Sequence, residues 1–288
     1  MTKVYGDFDQ ETLDNEYLIS RTVPSLDPFL ADYAGFSADA RANLDCREDV
    51  SCGDHPDQLL DIFPATGKDG RPAPVFIFIH GGYWRMLSHK ESSFMAENMV
   101  ANGIAVIAVN YSLAPGASID TIVRQCREAI AWTWRNAADF GGDPDRIFVC
   151  GSSAGGHLTG MMVAGGWHTD LGVPADVIKG AVPLSGLHDL EPLRLSCINE
   201  WAKLDEDAAR RNSPVHNLPA EGCPLILSYG ASETAEFKRQ SALLADAWRA
   251  RGWQADLFEH PDRNHFDIVF DLRDFDSLLG RRVRDMIG

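Results

Sequence analysis

Hydrophobic and polar positions along the chain alternate between short apolar runs and longer amphipathic stretches. The apolar runs are typical of strands buried on both faces of a sheet, and they predict strands at Gln58–Phe63, Pro74–Ile79, Ile104–Val109, Arg146–Cys150, Ile178–Leu184, Leu225–Tyr229 and Ala255–Glu259. The amphipathic stretches predict helices at Ser88–Asn102, Thr121–Ala138, from Ala154 onward, Glu236–Arg251 and Phe266–Leu279, with a turn at Gly141–Pro144. This alternation predicts an α/β fold with a mostly parallel central sheet and helices on both faces.

Two segments depart from this alternation. Residues 1–57 are polar and acidic, yet they carry aromatic side chains that need somewhere to pack, namely Tyr5, Phe8, Tyr17, Phe29, Tyr33 and Phe36. We expect this N-terminal segment to lie over the core, near the mouth of the functional site. Residues from about 191 to 220 are irregular and partly helical, which predicts a cap insertion. The whole chain, 1–288, is expected to form one domain.

The excess of acidic over basic residues argues against two classes of partner. The chain has 26 basic and 42 acidic residues, a formal charge of −16. Such a surface repels nucleic acid and anionic membranes, so we predict neither as a partner and expect a small-molecule substrate. The six cysteines have no zinc-type spacing, which predicts free thiols and no metal site. The N-terminus lacks the apolar run of a signal peptide, so we expect a cytoplasmic protein, and a homo-oligomer remains open.

The main chemical signal is Gly151-Ser152-Ser153-Ala154-Gly155, which follows one predicted strand and precedes a helix. A serine among small residues at a sharp strand-to-helix turn exposes its hydroxyl, and the helix N-terminus directs N–H groups at developing negative charge. The context predicts Ser153 as the nucleophile of a serine hydrolase rather than part of a glycine-rich connection. Ser152 is the alternative hydroxyl, but it precedes the centre of the motif and is interpreted as a turn residue.

A second glycine turn, His80-Gly81-Gly82-Tyr83-Trp84, follows the strand Pro74–Ile79. Adjacent glycines let backbone N–H groups point into a cavity, as an oxyanion hole requires. We assign this role to the N–H groups of Gly82, Tyr83 and Ala154, and we interpret His80 as a support for the turn. Two alternatives stay open for Tyr83 and Trp84, which are either core aromatics or walls of an aromatic substrate pocket.

The acid and the base should follow the serine in the chain. Glu233 lies in the loop after the strand Leu225–Tyr229 and is predicted to orient the imidazole, with Glu236 as the alternative carboxylate. His265 follows the last predicted strand and is predicted to be the general base, with His260 as the alternative. In the cap, Trp201 and Leu193–Leu195 either line the pocket or pack within the cap.

Four motifs together resemble the kynurenine formamidase (arylformamidase) branch of the α/β-hydrolases, close to the hormone-sensitive-lipase-like carboxylesterases. They are His80–Trp84, Gly151–Leu158, Ser185–Leu193 and Asn264–Phe266. The resemblance extends from about Asp61 to His265. It implies an α/β-hydrolase fold and hydrolysis of N-formylkynurenine to kynurenine and formate without metal or cofactor. The chain departs from the family pattern at Glu233, where the family often has Asp. Its Tyr-Trp turn differs from the third glycine of lipase-like esterases, which favours the formamidase branch.

The sequence therefore yields one principal hypothesis and two alternatives. Ser153, Glu233 and His265 would remove a small acyl group from an aryl amide or ester through an acyl-enzyme. The first alternative is a general carboxylesterase or amidase without preference for aromatic amides. The second is a ligand-binding protein that keeps the fold without chemistry, although all three members of the triad are present.

Overall fold

The computed structural model describes residues 2–288, apart from the side chain of Asp69. Its eight strands are β1 (Arg47–Ser51), β2 (Leu59–Phe63), β3 (Ala73–Ile79), β4 (Ala105–Val109), β5 (Gly142–Ser152), β6 (Ile178–Leu184), β7 (Leu225–Gly230) and β8 (Ala255–His260). They form one sheet in the order β1-β2-β4-β3-β5-β6-β7-β8. Strand β2 runs antiparallel to β1 and β4, and all other neighbours are parallel. The predicted mostly parallel sheet is confirmed.

Eleven α-helices surround or cap the sheet in the described chain. They are α1 (Gln10–Tyr17), α2 (Asp27–Asn43), α3 (Ala96–Ala101), α4 (Ile119–Asn136), α5 (Ala154–Met162), α6 (His168–Leu171), α7 (Glu191–Leu195), α8 (Asn199–Ala202), α9 (Glu206–Arg211), α10 (Ala235–Ala250) and α11 (Leu278–Ile287). Short 3-10 turns occupy Ile19–Thr22, Lys68–Gly70, His89–Glu91, Ala137–Phe140, Pro214–His216 and Ile268–Arg273. No helix within residues 2–288 has both the length and the apolar character needed to cross a membrane.

The central strands are apolar throughout because both faces of the sheet are covered. In β3, Val75, Ile77 and Ile79 enter the larger core cluster, while Phe76 and Phe78 enter the cluster on the other face. All of β3 is buried. Successive residues of β3 point into the two cores in turn, which explains why the whole run is hydrophobic. The carboxyl end of β3 leads into the site described below.

Several predicted boundaries are wrong. The helix predicted at Ser88–Asn102 is limited to α3, because Ser88 and Glu91 form a capping box around a separate 3-10 turn. The helix predicted at Phe266–Leu279 is replaced by a 3-10 turn, and α11 begins only at Leu278, where the Ser277 hydroxyl accepts the Gly280 N–H. The predicted turn at Gly141–Pro144 is mostly the start of β5, and the exposed edge strand β1 was not predicted.

Candidate active site

Ser153 lies at the turn between β5 and α5, with its backbone at φ 59° and ψ −119°. This is a strained conformation for a residue with a side chain, of the kind that concentrates at functional sites. The turn needs small neighbours: a Cβ on Gly151 would lie 2.4 Å from the Gly155 carbonyl oxygen, and a Cβ on Gly155 would lie 2.0 Å from that of Ile79. The glycines of the motif therefore let the chain fold tightly enough to present Ser153 at the edge of the sheet.

His265 and Glu233 meet at the same edge, after β8 and β7. Their Nδ1 and Oε2 atoms are 2.9 Å apart, and both side chains are nearly fully buried. The imidazole is also held edge-on by the rings of Phe237 and Phe266, at centroid distances of 4.7 and 5.0 Å. Because the carboxylate engages Nδ1, the other ring nitrogen, Nε2, is left for proton transfer. Ser153 and His265 line one common cavity.

Ser185 completes the surroundings of the Glu233 carboxylate, a role that the sequence reasoning missed. The Ser185 hydroxyl donates to Glu233 Oε1 at 2.6 Å, and the Gly230 N–H donates to the same oxygen at 2.7 Å. Ser185 is fully buried and has a φ of 47°, so its backbone is strained as well. Two neutral donors on Oε1 stabilise the charged carboxylate and fix its orientation. The available signal was the position of Ser185 directly after β6, at the carboxyl edge of the sheet.

The amides predicted to form the oxyanion hole are grouped beside Ser153. A Cβ on Gly81 would lie 3.4 Å from the Ser153 Cβ, so the glycine turn passes directly against the serine. No hydrogen bond within residues 2–288 uses the N–H of Gly82, Tyr83 or Ala154 as donor. Gly82 and Tyr83 have φ values of 89° and 50°, which turn this backbone away from regular structure. Three free N–H groups next to a serine hydroxyl can receive a developing oxyanion.

The cavity beside Ser153 encloses about 1030 Å³ including its open mouth. The N-terminal segment supplies part of its wall, from Leu18 to Tyr33, and the cap supplies Ile198 and Trp201. The Tyr33 hydroxyl donates to the carbonyl of Phe266, directly after the histidine. Leu193 is fully buried in the core, so of the two alternatives for the cap, packing holds for Leu193 and pocket lining holds for Trp201.

The two aromatic residues of the glycine turn, Tyr83 and Trp84, lie in different surroundings. Tyr83 lines the cavity. Trp84 does not: its ring is fully buried, and its indole N–H donates to His157 Nδ1 at 3.2 Å. The predicted substrate contact of Trp84 is therefore wrong, because its φ of 59° sends the side chain into the core.

His80 supports the turn, as the sequence interpretation proposed. Its ring stacks on Tyr111 at 4.0 Å between centroids, and the Tyr111 hydroxyl donates to the His80 carbonyl at 2.9 Å. Burial lowers the pKa of His80 to about 3, so the imidazole is neutral at physiological pH.

The two alternative residues for acid and base are engaged elsewhere. Glu236 accepts from the Tyr17 hydroxyl at 2.7 Å and from Arg239, which ties the N-terminal segment to α10. His260 Nε2 is 2.8 Å from Asp271 Oδ2, outside the cavity wall. Neither alternative is directed at Ser153.

One group of side chains in the described chain has the composition of a metal site, namely Asp49, Asp61 and His89. It already holds a cation, since the Lys90 ammonium lies 2.9 Å from Asp61 and 3.0 Å from Asp49. Burial opposes the charge of Lys90, but its hydrogen bonds to Asp61, Asp49 and Glu48 outweigh that effect and raise its pKa. The group is therefore an internal ion-pair network.

Comparison with known proteins places these features in a family context. Residues 60–247 match the BD-FAE family model. Over 245 residues the chain is 32% identical to the kynurenine formamidase of Salmo salar, covering 83% of this chain and 81% of that protein. Over 254 residues it is 32% identical to the kynurenine formamidase of Danio rerio, covering 86% and 84%.

Among solved structures, the chain is similar to a candidate thioesterase from a Silicibacter species. The two are 30% identical with a TM-score of 0.81, and the match covers 93% of this chain and 97% of that one. The fold of the chain and the serine, histidine and carboxylate at its sheet edge are therefore consistent with the hydrolase names of these relatives.

Proposed function

This chain belongs to the BD-FAE family and to the kynurenine formamidase-like branch of the α/β-hydrolases, and on that premise we propose that it is an arylformamidase acting through Ser153, His265 and Glu233. It is a hydrolase of the serine type. The observation that carries the proposal is the buried His265–Glu233 pair, because its imidazole lines the same cavity as Ser153 and the turn at Gly82 and Tyr83.

The proposed reaction begins with attack of the Ser153 hydroxyl on the formyl carbon while His265 Nε2 takes the hydroxyl proton. The carbonyl oxygen becomes an oxyanion, which the N–H groups of Gly82, Tyr83 and Ala154 stabilise. Glu233 holds the imidazole in the required tautomer and offsets its positive charge. His265 then gives the proton to the leaving aryl amine, and the C–N bond breaks. His265 then deprotonates a water that attacks the formyl carbon, the bond to Ser153 Oγ breaks, formate leaves, and His265 returns the proton to the serine oxygen.

The cavity favours an aromatic leaving group. Seven of its wall residues are aromatic: Phe29, Tyr33, Phe78, Tyr83, Phe94, Trp201 and Phe266. Aromatic walls of this kind bind a planar ring through dispersion and edge contacts. The kynurenine formamidase relatives, at 32% identity over most of the chain, support an aryl formamide as the substrate class.

Kinetics with N-formylkynurenine, formanilide and 4-nitrophenyl acetate test the proposal. We expect N-formylkynurenine to have the highest kcat/KM, and Ser153→Ala to lose turnover of all three. A kcat/KM that is higher for the aryl ester than for both formamides would favour a general carboxylesterase instead. Near wild-type turnover by Ser153→Ala would exclude the proposed nucleophile.

A further inference from the structure

The cavity contains a guanidinium that the proposed chemistry does not use. Arg85 lines the cavity and is exposed where the cavity meets solvent. Within residues 2–288, no hydrogen bond or ion pair joins its side chain to another residue, and its contact is the face of Trp201, 3.8 Å from the ring centroid. No carboxylate therefore offsets the charge of this guanidinium among the described residues, and the guanidinium lies at the cavity mouth.

The stacking of Arg85 leaves its N–H groups available. A guanidinium whose carbon lies over an indole face uses none of its five N–H donors in that contact, and a carboxylate can bind the fork through two parallel hydrogen bonds. The acidic residue in the same cavity does not neutralise it. Glu91 accepts from the N–H and the hydroxyl of Ser88, at 3.0 and 2.8 Å, so its carboxylate is held by its own turn.

The position of Arg85 is fixed relative to the proposed oxyanion hole. Its backbone N–H donates to the Gly82 carbonyl at 3.0 Å. Trp201, on which it stacks, donates from its indole N–H to the Tyr83 carbonyl at 3.0 Å. The same short turn therefore carries both the amides for the reacting carbonyl and the positive charge for a second group of the substrate.

We propose that Arg85, stacked on Trp201, is a specificity-determining residue that binds a carboxylate on the aryl part of the substrate. This inference rests on the proposed hydrolysis of aryl amides and esters at Ser153. It adds a second recognition point: the reacting carbonyl lies at the glycine turn, and an anionic substituent on the leaving group lies against the guanidinium. A negatively charged protein surface disfavours anionic ligands in general, so a local cation is required for such a substrate to bind.

A matched pair of substrates tests the proposal. 4-Acetoxybenzoate and 4-acetoxybenzamide carry, opposite the ester, an anionic carboxylate and a neutral amide of similar size and shape. For each enzyme the quantity of interest is the KM for the amide divided by the KM for the carboxylate, so that any general effect of a variant cancels. We expect Arg85→Gln to lower this ratio about tenfold, as loss of a charge-assisted hydrogen bond does. Arg85→Lys should lower it less, because it keeps the charge without the fork.

Arg251→Gln is the control, because it removes the same charge from another arginine near a tryptophan. The Arg251 guanidinium lies 5.9 Å from the Trp253 ring centroid, and neither residue lines the cavity. Its ratio should equal that of the wild type. An unchanged ratio in Arg85→Gln, or an equal decrease in Arg251→Gln, would overturn the proposal.

Calorimetry separates this inference from the proposed reaction. Benzoate and benzamide are titrated into Ser153→Ala and into the same variant carrying Arg85→Gln. We expect tighter binding of benzoate than benzamide in the first protein and loss of that preference in the second, whether or not the enzyme turns over either ester. No preference in the first protein would contradict the role of Arg85, whereas loss of Ser153-dependent turnover alone would contradict only the proposed chemistry.

Discussion

Two histidines near the carboxyl edge of the sheet are each paired with a buried carboxylate. His265 Nδ1 lies 2.9 Å from Glu233 Oε2, and His260 Nε2 lies 2.8 Å from Asp271 Oδ2. All four side chains are almost completely buried. By distance and burial the two pairs are alike, yet of the two histidines only His265 lines the cavity beside Ser153.

The two pairs differ in what their remaining polar atoms contact. Asp271 also accepts from Arg263 at 2.9 Å and from the Leu279 N–H, and His260 Nδ1 accepts from the Asp262 N–H. That pair is satisfied from within the protein and holds the C-terminal region together. In the other pair, no hydrogen bond within residues 2–288 uses His265 Nε2. A histidine–carboxylate pair becomes chemically useful only when its second nitrogen is left for another molecule.

The largest expected effect separates the two histidines. His265→Gln should lower kcat/KM by about 10⁵-fold, since loss of the base disables the whole triad. His260→Gln should keep kcat/KM within about threefold and instead lower the free energy of unfolding by about 2 kcal/mol, because it disturbs a buried hydrogen-bonded pair. Steady-state kinetics and urea unfolding of both variants provide the measurements. Equal losses of activity would show that the comparison is wrong.

The two paired carboxylates should differ in the same way, Glu233 being needed for activity and Asp271 for stability. Glu233→Gln is expected to lower kcat/KM by about 10⁴-fold, because the amide no longer holds the imidazole in the required tautomer. Asp271→Asn is expected to reduce the free energy of unfolding by about 3 kcal/mol while activity persists, since Arg263 and His260 lose a buried partner. A folded Glu233→Gln protein with full activity would contradict the proposed acid, and circular dichroism establishes that it is folded.

Three further histidines are buried without a carboxylate partner among the described residues. They should make the free energy of unfolding depend on pH. Burial lowers the pKa of His80 and His188 to about 3 and that of His157 to about 4. In the unfolded chain each has a pKa near 6.5. Below that pH the unfolded state binds more protons, so stability decreases until the pH reaches the folded-state values. Each residue should remove roughly 1.6 kcal/mol between pH 6.5 and pH 5.

His188→Leu tests this pH dependence, because neither ring nitrogen of His188 has a hydrogen-bond partner within the described chain. Urea unfolding at pH 7, 6 and 5 should give the variant a shallower loss of stability on acidification than the wild type. Identical pH slopes in the two proteins would mean that His188 is not held neutral.

The smallest expected effect concerns the second oxygen of Glu233. Ser185→Ala should lower kcat/KM about tenfold, because the carboxylate loses one of its two neutral donors on Oε1.

Ser228→Ala is the matched control for Ser185→Ala. Ser228 is also fully buried, but its hydroxyl has no hydrogen-bond partner among the described residues. Its kcat/KM should not change. If both variants lose activity to the same extent, the Ser185 hydroxyl has only a packing role.

Prediction from the sequence was most accurate where one local pattern determined the structure. The apolar runs of β3 and β4 were found because every residue of these two strands is buried, which leaves no polar positions. Strand β1, Arg47–Ser51, was missed because an exposed edge strand carries charged side chains and no alternation. The C-terminal helix was placed too early because Ile268–Arg273, a 3-10 turn, has the hydrophobic spacing of a helix. Ser277, which caps α11, was the available signal for the correct start.

Within the site, prediction from the sequence failed for contacts between segments that are distant in the chain. The motif around Ser153 is contiguous, so its strained turn could be inferred from its glycines. Ser185 reaches Glu233 across 48 positions, and no local pattern marks such a contact. Trp84 illustrates the same limit, since a positive φ at one residue decides between the cavity and the core.

The contribution of the N-terminal segment to the cavity also has a consequence for how the molecule is made. Tyr17 bonds to a residue 219 positions later, and Tyr33 to one 233 positions later. At a synthesis rate of roughly 5–20 residues per second, the partners of these early residues are made on the order of ten to fifty seconds later. The cavity wall can therefore form only after Glu236 and Phe266 have been made, and until then the apolar wall residues from Leu18 onward lack these partners.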